Sequence, residues 1–185
     1  KVIYAGSSSK HHDPADSPYA MSKFLGEEIC KLYKTSFNVN VEIARFYNVY
    51  GPFEPLDEKF GNVIGIWQAK AIKKKPLTIV GDGNQTRDFI HVYDLVNGII
   101  KAALSNKVGE IYNIGGGKEI KVNKLTKLIG GKKVHIPKRP GEPSRSLADI
   151  SKIKKDLKWK PKIKFSDLVK EMIMYDLNSL KNKIK

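Results

Sequence analysis

Cysteine and long apolar segments are scarce in this chain of 185 residues. The single cysteine, Cys30, has no second thiol in the chain with which to form a disulfide. A small secreted scaffold held together by internal disulfides is therefore excluded. No apolar stretch approaches the roughly 20 residues that a membrane-spanning helix needs, and no signal peptide is recognisable. We therefore expect a cytoplasmic protein with no membrane partner.

Arginine is also rare, although the chain is strongly basic. Lys and Arg total 34 against 19 Asp and Glu, for a formal charge of +15, yet only four of the basic residues are Arg. The lysines are spread along the chain without zinc-ligand spacing, a basic zipper or an aromatic stacking motif, which favours a solvated surface over a nucleic-acid site. An Arg side chain, by contrast, is a planar fork suited to carboxylates and phosphates. The four candidates for such recognition are Arg45, Arg87, Arg139 and Arg145.

Apolar residues make up 41% of the chain, and their spacing alternates between strand and helix patterns. Short apolar runs predict strands at residues 2–4, 41–46, 77–80, 89–92, 111–114 and 133–137. Helical spacing predicts helices at residues 18–34, 62–74, 94–104, 122–129, 147–157 and 166–177. Strands that alternate with helices in this way indicate an α/β fold with a parallel sheet.

The first predicted strand lies at the very start of the chain. Its residues 2–4 are apolar and are followed by Gly6 and three serines, which is typical of a buried strand that ends at a loop. A central parallel strand is buried on both faces and has neighbours on both sides. We therefore expect that an N-terminal portion precedes Lys1, and that residues 1–185 alone are not an active enzyme.

A tyrosine and a lysine lie one turn apart at the start of the first predicted helix. Tyr19 and Lys23 share a helix face because they are four residues apart, although about one such pair is expected by chance in this composition. The serines at 7, 8 and 9 follow the first strand, and open α/β sheets form their sites at the carboxyl ends of parallel strands. An ammonium near a phenol favours the phenolate, and a serine hydroxyl can relay a proton. This combination predicts general acid–base chemistry at a carbinol or carbonyl carbon.

Seven segments of the chain, taken together, form a recognisable sequence pattern. They are 2–9 (VIYAGSSS), 19–23 (YAMSK), 45–52 (RFYNVYGP), 81–89 (GDGNQTRDF), 91–94 (HVYD), 112–115 (YNIG) and 139–142 (RPGE). In this order, across about residues 2 to 170, the pattern resembles the extended short-chain dehydrogenase/reductase family, and more narrowly its nucleotide-sugar epimerases and dehydratases. The resemblance implies part of a doubly wound, Rossmann-like parallel sheet plus a smaller α/β substrate-binding domain.

The resemblance also implies catalytic and cofactor-binding roles. Tyr19 would be the catalytic base, and Lys23 would support it and hold the nicotinamide ribose of NAD. Ser7 aligns best with the catalytic serine of the family and would complete the catalytic group. Ser8 is the alternative if the alignment is shifted by one residue. Phe46 would lie near the nicotinamide, so that Tyr19, Lys23 and Phe46 form the expected cofactor contacts.

The expected substrate is a nucleotide sugar, most readily a UDP-sugar. Arg87 and Arg139 match arginines that grip the diphosphate, and Glu142 matches an acidic residue that binds the ribose hydroxyls of the nucleotide. The segment at residues 77–80 matches one that lies along the nucleotide base. The substrate-binding residues that the resemblance implies are Ser7, Asn48, Asn62, Val63, Leu77, Thr78, Val80, Arg87, Arg139 and Glu142.

The chain departs from the family in lacking the glycine-rich dinucleotide fingerprint. We therefore expect residues 1–51 to be the C-terminal part of an NAD-binding Rossmann domain whose N-terminal part is missing. Residues 52–185 would be mainly the substrate-binding domain, with residues about 88–115 returning to the Rossmann domain. His11 and His12 replace a familiar Tyr-Gly, and because no third ligand is spaced to join them, we expect no metal site.

The expected reaction follows from what the serine segment lacks. The dehydratases and decarboxylases of the family that the chain resembles carry an Asp or Glu there, whereas the first carboxylate here is Asp13. We therefore expect an NAD-dependent UDP-hexose 4-epimerase, which oxidises a ring carbinol transiently, and a homodimer. A dehydratase, decarboxylase or reductase of the same family stays open, as does a non-catalytic module that binds nucleotide sugars or nucleic acid.

Overall fold

The computed structural model describes residues 1–11, 13–58, 61–138 and 143–166. The helices are α1 (Pro18–Phe37), α2 (Val63–Ile72), α3 (Val92–Leu104), α4 (Val122–Ile129) and α5 (Ser151–Leu157), with short 3₁₀ helices at Ser8–His11 and Pro14–Asp16. The strands are β1 (Val2–Ser7), β2 (Val41–Phe46), β3 (Asn48–Tyr50), β4 (Leu77–Val80), β5 (Thr86–His91), β6 (Ile111–Ile114), β7 (Glu119–Lys121) and β8 (Lys133–Ile136). Among these described elements, none is a helix with the length and hydropathy needed to cross a membrane.

The first sheet consists of three parallel strands in the order β1-β2-β6. In this sheet, Ser7 at the end of β1 is in register with Phe46 at the end of β2. Ala44 belongs to the core shared with α3 and α5, whereas the next residue, Arg45, contacts α1. Because successive side chains of a strand point to opposite faces, helices cover this sheet on both sides. The predicted Rossmann-like α/β fold with a parallel sheet is confirmed.

The remaining sheets share a second core. Strand β5 pairs in parallel with β3 and antiparallel with β7, while β4 and β8 form a parallel pair. The buried indole of Trp67 on α2 donates from Nε1 to the carbonyl oxygen of Thr78 at 2.9 Å, which fixes α2 against β4. Phe165 stacks on Phe89 with ring centroids 4.9 Å apart and joins this core from the far end of the described chain.

The two strands that the sequence places at the centre of the sheet differ in burial. Four of the six β2 residues are buried, as predicted. Val2 on β1 is 51% exposed, because no described strand pairs with the outer edge of β1. Residues 2–4 are therefore less buried in this chain than the residues of β2.

Several element boundaries also differ from the predicted ones. The strand at residues 2–4 continues to Ser7, the strand predicted at 89–92 begins at Thr86, and the short strands β3 and β7 were not predicted. The helix predicted at 147–157 begins only at Ser151, where the carboxylate of Asp149 accepts the backbone N–H of Ser151 at 2.9 Å. The helix predicted at 166–177 lies outside the described residues after its first position.

Helix α1 turns most of its apolar residues away from the first sheet. Its buried residues are Ala20 and Glu27. The exposed apolar side chains lie on the opposite side of the helix, which we call the outer face of α1: Met21, Leu25, Ile29, Leu32, Tyr33 and Phe37. Apolar spacing identified the helix correctly, but the face that it marks is not the one that packs on the described sheet.

Candidate active site

A cleft of about 570 Å³ lies where β1 and β2 end and α1 begins. This is the carboxyl edge of the parallel sheet, where open α/β folds form their binding sites. Six separate segments of the sequence contribute to the cleft. The sequence-predicted residues that line it are Ser7, Tyr19, Lys23, Phe46, Asn48, Asn62 and Arg87, together with the register alternative Ser8.

The start of α1 holds the tyrosine and the lysine at the cleft. Ser17 caps the helix, because its Oγ accepts the backbone N–H of Ala20 at 3.1 Å. Tyr19 is 59% exposed at the cleft. Lys23 Nζ donates to the carbonyl oxygen of Ala5 at 3.0 Å and lies 5.8 Å from the centroid of the Tyr19 ring. The lysine is therefore anchored to β1, with its ammonium near the phenol.

Ser7 presents its hydroxyl at the end of β1. The residue is only 7% exposed, and its Oγ accepts the backbone N–H of Ser9 at 3.2 Å. Because Oγ accepts this bond, its own O–H remains available to donate into the cleft. Ser8 lines the cleft as well, but Ser7 is the serine in register with Phe46.

A buried ion pair that sequence reasoning did not identify lies beside the cleft. Arg45 donates from Nε and one terminal nitrogen to the two carboxylate oxygens of Glu27, at 2.9 and 2.6 Å. Glu27 is completely buried, one turn of α1 beyond Lys23. Burial raises the pKa of the Tyr4 phenol, and nearby acidic groups, including Glu27, raise it further. Burial and the carboxylate of Glu27 also raise the pKa of the Cys30 thiol. Arg45 thus recognises a carboxylate of its own chain.

Strand β5 supplies two adjacent residues near the cleft. Arg87 donates to the carbonyl oxygens of Thr86 and Pro143, both at 2.8 Å, which fixes its guanidinium at the edge of the cleft. The carboxylate of Asp88 is completely buried and accepts three backbone N–H groups, those of Gly116, Gly117 and Ala148 at 2.6 to 2.9 Å.

Asp88 therefore joins β5 to the loop that follows β6. Burial raises the pKa of Asp88 to about 6, although its three backbone hydrogen bonds act in the opposite direction. The carbonyl oxygen of Asp88 also accepts the side-chain amide of Asn48 at 2.8 Å, which orients Asn48 at the cleft. Sequence reasoning quoted the segment that contains Asp88 but assigned it no role, because its partners are more than 25 residues away.

The other predicted substrate residues occupy different places. Asn62 precedes α2 and lines the cleft, and its Nδ2 donates to the carbonyl oxygen of Val49 at 3.4 Å. Val63 packs against the second core. On β4, Leu77 is buried in that core and the Thr78 hydroxyl accepts a hydrogen bond from Lys70 at 3.0 Å.

Val80, at the carboxyl end of β4, lines a smaller depression of about 270 Å³ with Gln85 and Lys138. This depression shares Pro143 with the cleft, so the two are neighbours. Arg139 and Glu142, which are predicted to bind the diphosphate and the nucleotide ribose, lie outside the described residues, as does His12. Within the described ranges there is no group of three His, Cys, Asp or Glu residues arranged to hold a metal ion.

The chain matches a protein-family model described as GDP-mannose 4,6 dehydratase over residues 5–172. The chain belongs to this family. The family is one of nucleotide-sugar epimerases and dehydratases, and the match covers the segments that build the cleft, so the coarse resemblance predicted from the sequence is confirmed.

Individual members of this epimerase and dehydratase family are similar over most of the chain. It is 40% identical over 171 residues, 89% of its length, to an uncharacterized UDP-glucose epimerase of Bacillus subtilis (strain 168), and covers 52% of that protein. It is 33% identical over 174 residues, 90% of its length, to UDP-glucuronic acid decarboxylase 1 of Arabidopsis thaliana, and covers 39% of that protein.

A solved structure shows the same relationship. The chain superimposes on UDP-glucuronic acid 4-epimerase from Bacillus cereus, in complex with UDP-glucuronic acid and NAD, with a TM-score of 0.87 and 29% identity. The superposition covers 96% of this chain and 61% of that one. The chain thus spans about half the length of the similar B. subtilis protein.

Proposed function

We propose that this chain forms the catalytic and substrate-binding part of an NAD-dependent UDP-hexose 4-epimerase. The observation that carries the proposal is the composition of the cleft: Ser7, Tyr19 and Lys23 meet there, and none of its described lining residues is Asp or Glu. Elimination and decarboxylation on this scaffold use an additional acid, whereas epimerisation needs only a proton relay and reversible oxidation. The proposal therefore favours the epimerases of the family over its dehydratases and decarboxylases.

Each residue of the cleft has a role in the proposed reaction. Tyr19 acts as the base that takes the proton of the sugar hydroxyl at the carbon that is oxidised, and it returns the proton when the carbinol re-forms. The ammonium of Lys23, held by the carbonyl oxygen of Ala5, lies beside the Tyr19 ring and supports this residue. The Ser7 hydroxyl donates to the sugar oxygen and shares the transferred proton. All three groups lie at the same cleft.

NAD fits only part of this site. The ammonium of Lys23 and the phenol of Tyr19 can hydrogen-bond a ribose, and the Phe46 ring offers an apolar surface to a nicotinamide. We propose that these three residues hold that end of the cofactor, which supplies hydride transfer when bound. The chain has no glycine-rich turn before a helix for the pyrophosphate, so we propose that a portion of the protein outside these 185 residues binds that end.

The substrate end of the site is built around Arg87. Its guanidinium is fixed at the cleft by two carbonyl oxygens, and a diphosphate is the kind of ligand that a planar fork binds well. Asn48 and Asn62 lie at the same cleft and can bind sugar hydroxyls. The neighbouring depression at Val80 would take the uracil, with Arg139 and Glu142 as further contacts, as the resemblance implies.

A reductase of the same family is the second candidate. The absence of described carboxylates in the cleft fits reduction of a keto-sugar as well as it fits epimerisation. The two differ in their use of cofactor: an epimerase regenerates NAD in each turnover, whereas a reductase consumes one reduced cofactor for each product molecule. Measured cofactor balance therefore separates them.

We also propose that the protein is a homodimer in which a second copy packs on the outer face of α1. Four apolar side chains on this face are each more than half exposed: Leu25, Ile29, Leu32 and Phe37. A contiguous row of exposed apolar side chains is typical of a surface that another protein chain covers. The measurement is the mass in solution by light scattering. Leu25→Glu with Ile29→Glu should give monomers, and a wild-type protein that is already monomeric would contradict the proposal.

The proposed activity is tested with the complete polypeptide that contains this chain. Incubation with UDP-glucose and NAD, followed by NMR of the sugar, should give the 4-epimer without net formation of reduced cofactor. Loss of water or of carbon dioxide from a nucleotide sugar would assign a dehydratase or decarboxylase instead. Binding of UDP-sugars without any turnover would leave a non-catalytic module, and salt-dependent binding to a generic duplex would point to nucleic acid.

A further inference from the structure

Tyr4, in the middle of β1, packs its ring between β1 and α1. The residue is half-buried. A Cβ built on Gly26 of α1 would overlap the Oη and Cζ atoms of Tyr4, so the phenol lies directly against the backbone of Gly26. The absence of a side chain at Gly26 therefore makes room for the Tyr4 ring beside the helix. The epimerase reaction proposed above gives Tyr4 no role.

The ring of Tyr4 also faces Lys23, which lies one turn of α1 before Gly26. Lys23 Nζ lies over this ring, 5.7 Å from its centroid. That distance is within the roughly 6 Å over which the negative face of an aromatic ring attracts an ammonium. The centroid of Tyr19 lies 5.8 Å from the same nitrogen, so one ring from β1 and one ring from α1 lie near the ammonium.

The carboxylate at ion-pair spacing from Lys23 is engaged elsewhere. Glu27 follows Lys23 by four residues, which is the spacing of a helical ion pair, but both of its carboxylate oxygens accept hydrogen bonds from Arg45. The carbonyl oxygen of Ala5 binds the Lys23 ammonium at 3.0 Å. A lysine side chain has a flexible four-carbon stem, so a ring on one side of it restricts the positions that the ammonium can take.

Tyr4 offers Lys23 a neutral ring. Burial raises the pKa of the Tyr4 phenol above its ordinary value near 10, and nearby acidic groups, including Glu27, raise it further. The phenol therefore keeps its proton at neutral pH. Tyr4 contributes the face of its ring, while the role of the base stays with Tyr19.

We propose that Tyr4 is a positioning residue of the active site, whose ring holds the ammonium of Lys23 beside Tyr19. The inference rests on the role of Lys23 in the proposed function. Gly26 belongs to the same arrangement, because it admits the ring between β1 and α1. Tyr4 is not among the described residues that line the cleft, so it acts on the reaction through Lys23.

The test compares Tyr4→Phe with Tyr4→Leu in the complete polypeptide that contains this chain. Tyr4→Phe is the conservative variant and should turn over UDP-glucose at close to the wild-type rate, because it keeps the ring. Tyr4→Leu removes the ring, so kcat should fall by about tenfold. KM for the UDP-sugar should stay unchanged, because the proposed diphosphate contact, Arg87, lies on a different strand. Tyr93→Leu, at an exposed tyrosine of α3 outside the cleft, is the matched control.

Gly26→Ala tests the ring by displacing it. The added methyl group overlaps atoms of Tyr4, so this variant should lower both the melting temperature and kcat. Tyr4→Leu lacks every atom that the methyl group would overlap, so the double variant should melt at a higher temperature than Gly26→Ala alone. The kcat of the double variant should nevertheless stay about tenfold below that of wild type, because the ring is absent.

A second measurement observes Lys23 without requiring turnover. Reductive methylation with isotope-labelled formaldehyde adds NMR-visible methyl groups to lysine side chains and keeps their charge. The Lys23 signal, assigned with Lys23→Arg, should lie upfield of the signals of lysines that face no ring, because an aromatic ring shields the protons above its face. Tyr4→Leu should move this signal toward the others, whereas Tyr4→Phe should leave it in place.

Three results would overturn the proposal. The first is a Tyr4→Leu enzyme with the kcat of wild type, or one that is no slower than Tyr4→Phe. The second is a double variant that regains turnover together with stability, which would mean that Tyr4 only fills space. The third is a Lys23 signal that does not respond to Tyr4→Leu. A wild-type polypeptide without epimerase turnover would refute the proposed function instead, and the Lys23 signal would then decide whether Tyr4 holds the ammonium.

Discussion

Arg45 and Glu27 form two parallel hydrogen bonds, of 2.9 and 2.6 Å, that join strand β2 to helix α1. Glu27 lies on the same face of α1 as Tyr19 and Lys23, at successive four-residue steps. Arg45 immediately precedes Phe46, whose ring lines the cleft. The ion pair therefore fixes the helix that carries the proposed base relative to the strand that carries the proposed nicotinamide contact.

Glu27→Gln should lower the free energy of unfolding by about 3 kcal/mol, because it leaves a largely buried guanidinium without its carboxylate. Urea denaturation of the 185-residue chain measures this. Lys31→Ala, which breaks the exposed pair between Lys31 and Glu28 on the same helix, is the control and should cost at most about 1 kcal/mol. Equal effects of the two substitutions would show that the buried pair adds no particular stability.

Tyr19→Phe should remove the proposed base with little change in side-chain volume. In the complete enzyme we expect turnover to fall by at least about a hundredfold, with the affinity for UDP-sugars nearly unchanged, because Arg87, the proposed diphosphate contact, lies elsewhere in the cleft. Tyr93→Phe, at an exposed tyrosine of α3 that lies outside the cleft, is the matched control. Turnover at the wild-type rate in the Tyr19 variant would refute the assignment.

Arg87→Lys should separate bidentate recognition from charge alone. A lysine keeps the positive charge but cannot make two parallel hydrogen bonds to diphosphate oxygens. We expect the affinity for UDP to weaken by about 1–3 kcal/mol, as measured by calorimetry. Arg145→Lys, at the exposed pair with Glu119, should leave UDP binding unchanged. An unaltered affinity in the Arg87 variant would exclude a diphosphate role.

Asp88 should make stability depend on pH in the direction opposite to an ordinary ion-paired carboxylate. Its pKa is about 6 in the folded chain, above the ordinary value near 4, so the folded state keeps the proton longer than the unfolded state. The contribution of Asp88 is therefore fully present below about pH 4 and is lost as the pH rises through about 6, by up to about 3 kcal/mol.

Asp88→Asn should flatten this part of the curve of unfolding free energy against pH. Asp149→Asn is the control, since a hydrogen bond from Ser151 lowers the pKa of Asp149 and its carboxylate is exposed. Two results would contradict the prediction. One is a wild-type free energy of unfolding that does not change between pH 4 and 6. The other is an Asp88→Asn curve of unfolding free energy against pH with the same shape as the wild-type curve.

The 185-residue chain alone should bind NAD weakly and should not interconvert UDP-sugars, because it lacks a glycine-rich pyrophosphate turn. Fluorescence titration with reduced cofactor and an epimerase assay on the isolated chain measure both properties. Tight cofactor binding together with turnover would show that these residues hold the whole dinucleotide.

The sequence predicted those parts of the structure that depend on local pattern. Strand β2 and the start of α1 were correct, because a dense apolar run and a Ser-Pro cap are strong local signals. Tyr19 and Lys23 were singled out because their spacing is local and their flanking segments resemble those of a known family. The place after the first strand indicated the serines at 7, 8 and 9, and the resemblance selected Ser7 among them. The roles of these residues stay predictions.

The features that the sequence did not predict depend on contacts between residues that are distant in the chain. Strand β3 contains three residues and exists through its pairing with β5, about 40 positions further along. Glu27 resembles any charged residue of a surface helix until Arg45, 18 positions away, is placed opposite it. Apolar spacing cannot tell which side of a helix faces its own sheet, and so it could not anticipate the outward direction of Leu25 and Ile29.

The outer face of α1 connects the proposed dimer with the proposed chemistry. The helix that displays Leu25, Ile29, Leu32 and Phe37 also carries Tyr19 and Lys23 at its first turns. Whatever covers this face restrains the same rigid element that aims the phenol into the cleft. In the complete enzyme, specific activity should therefore fall on dilution below the dissociation constant of that contact, and melting temperature should fall with it. The mass in solution and the turnover rate would then depend on the same monomer–dimer equilibrium.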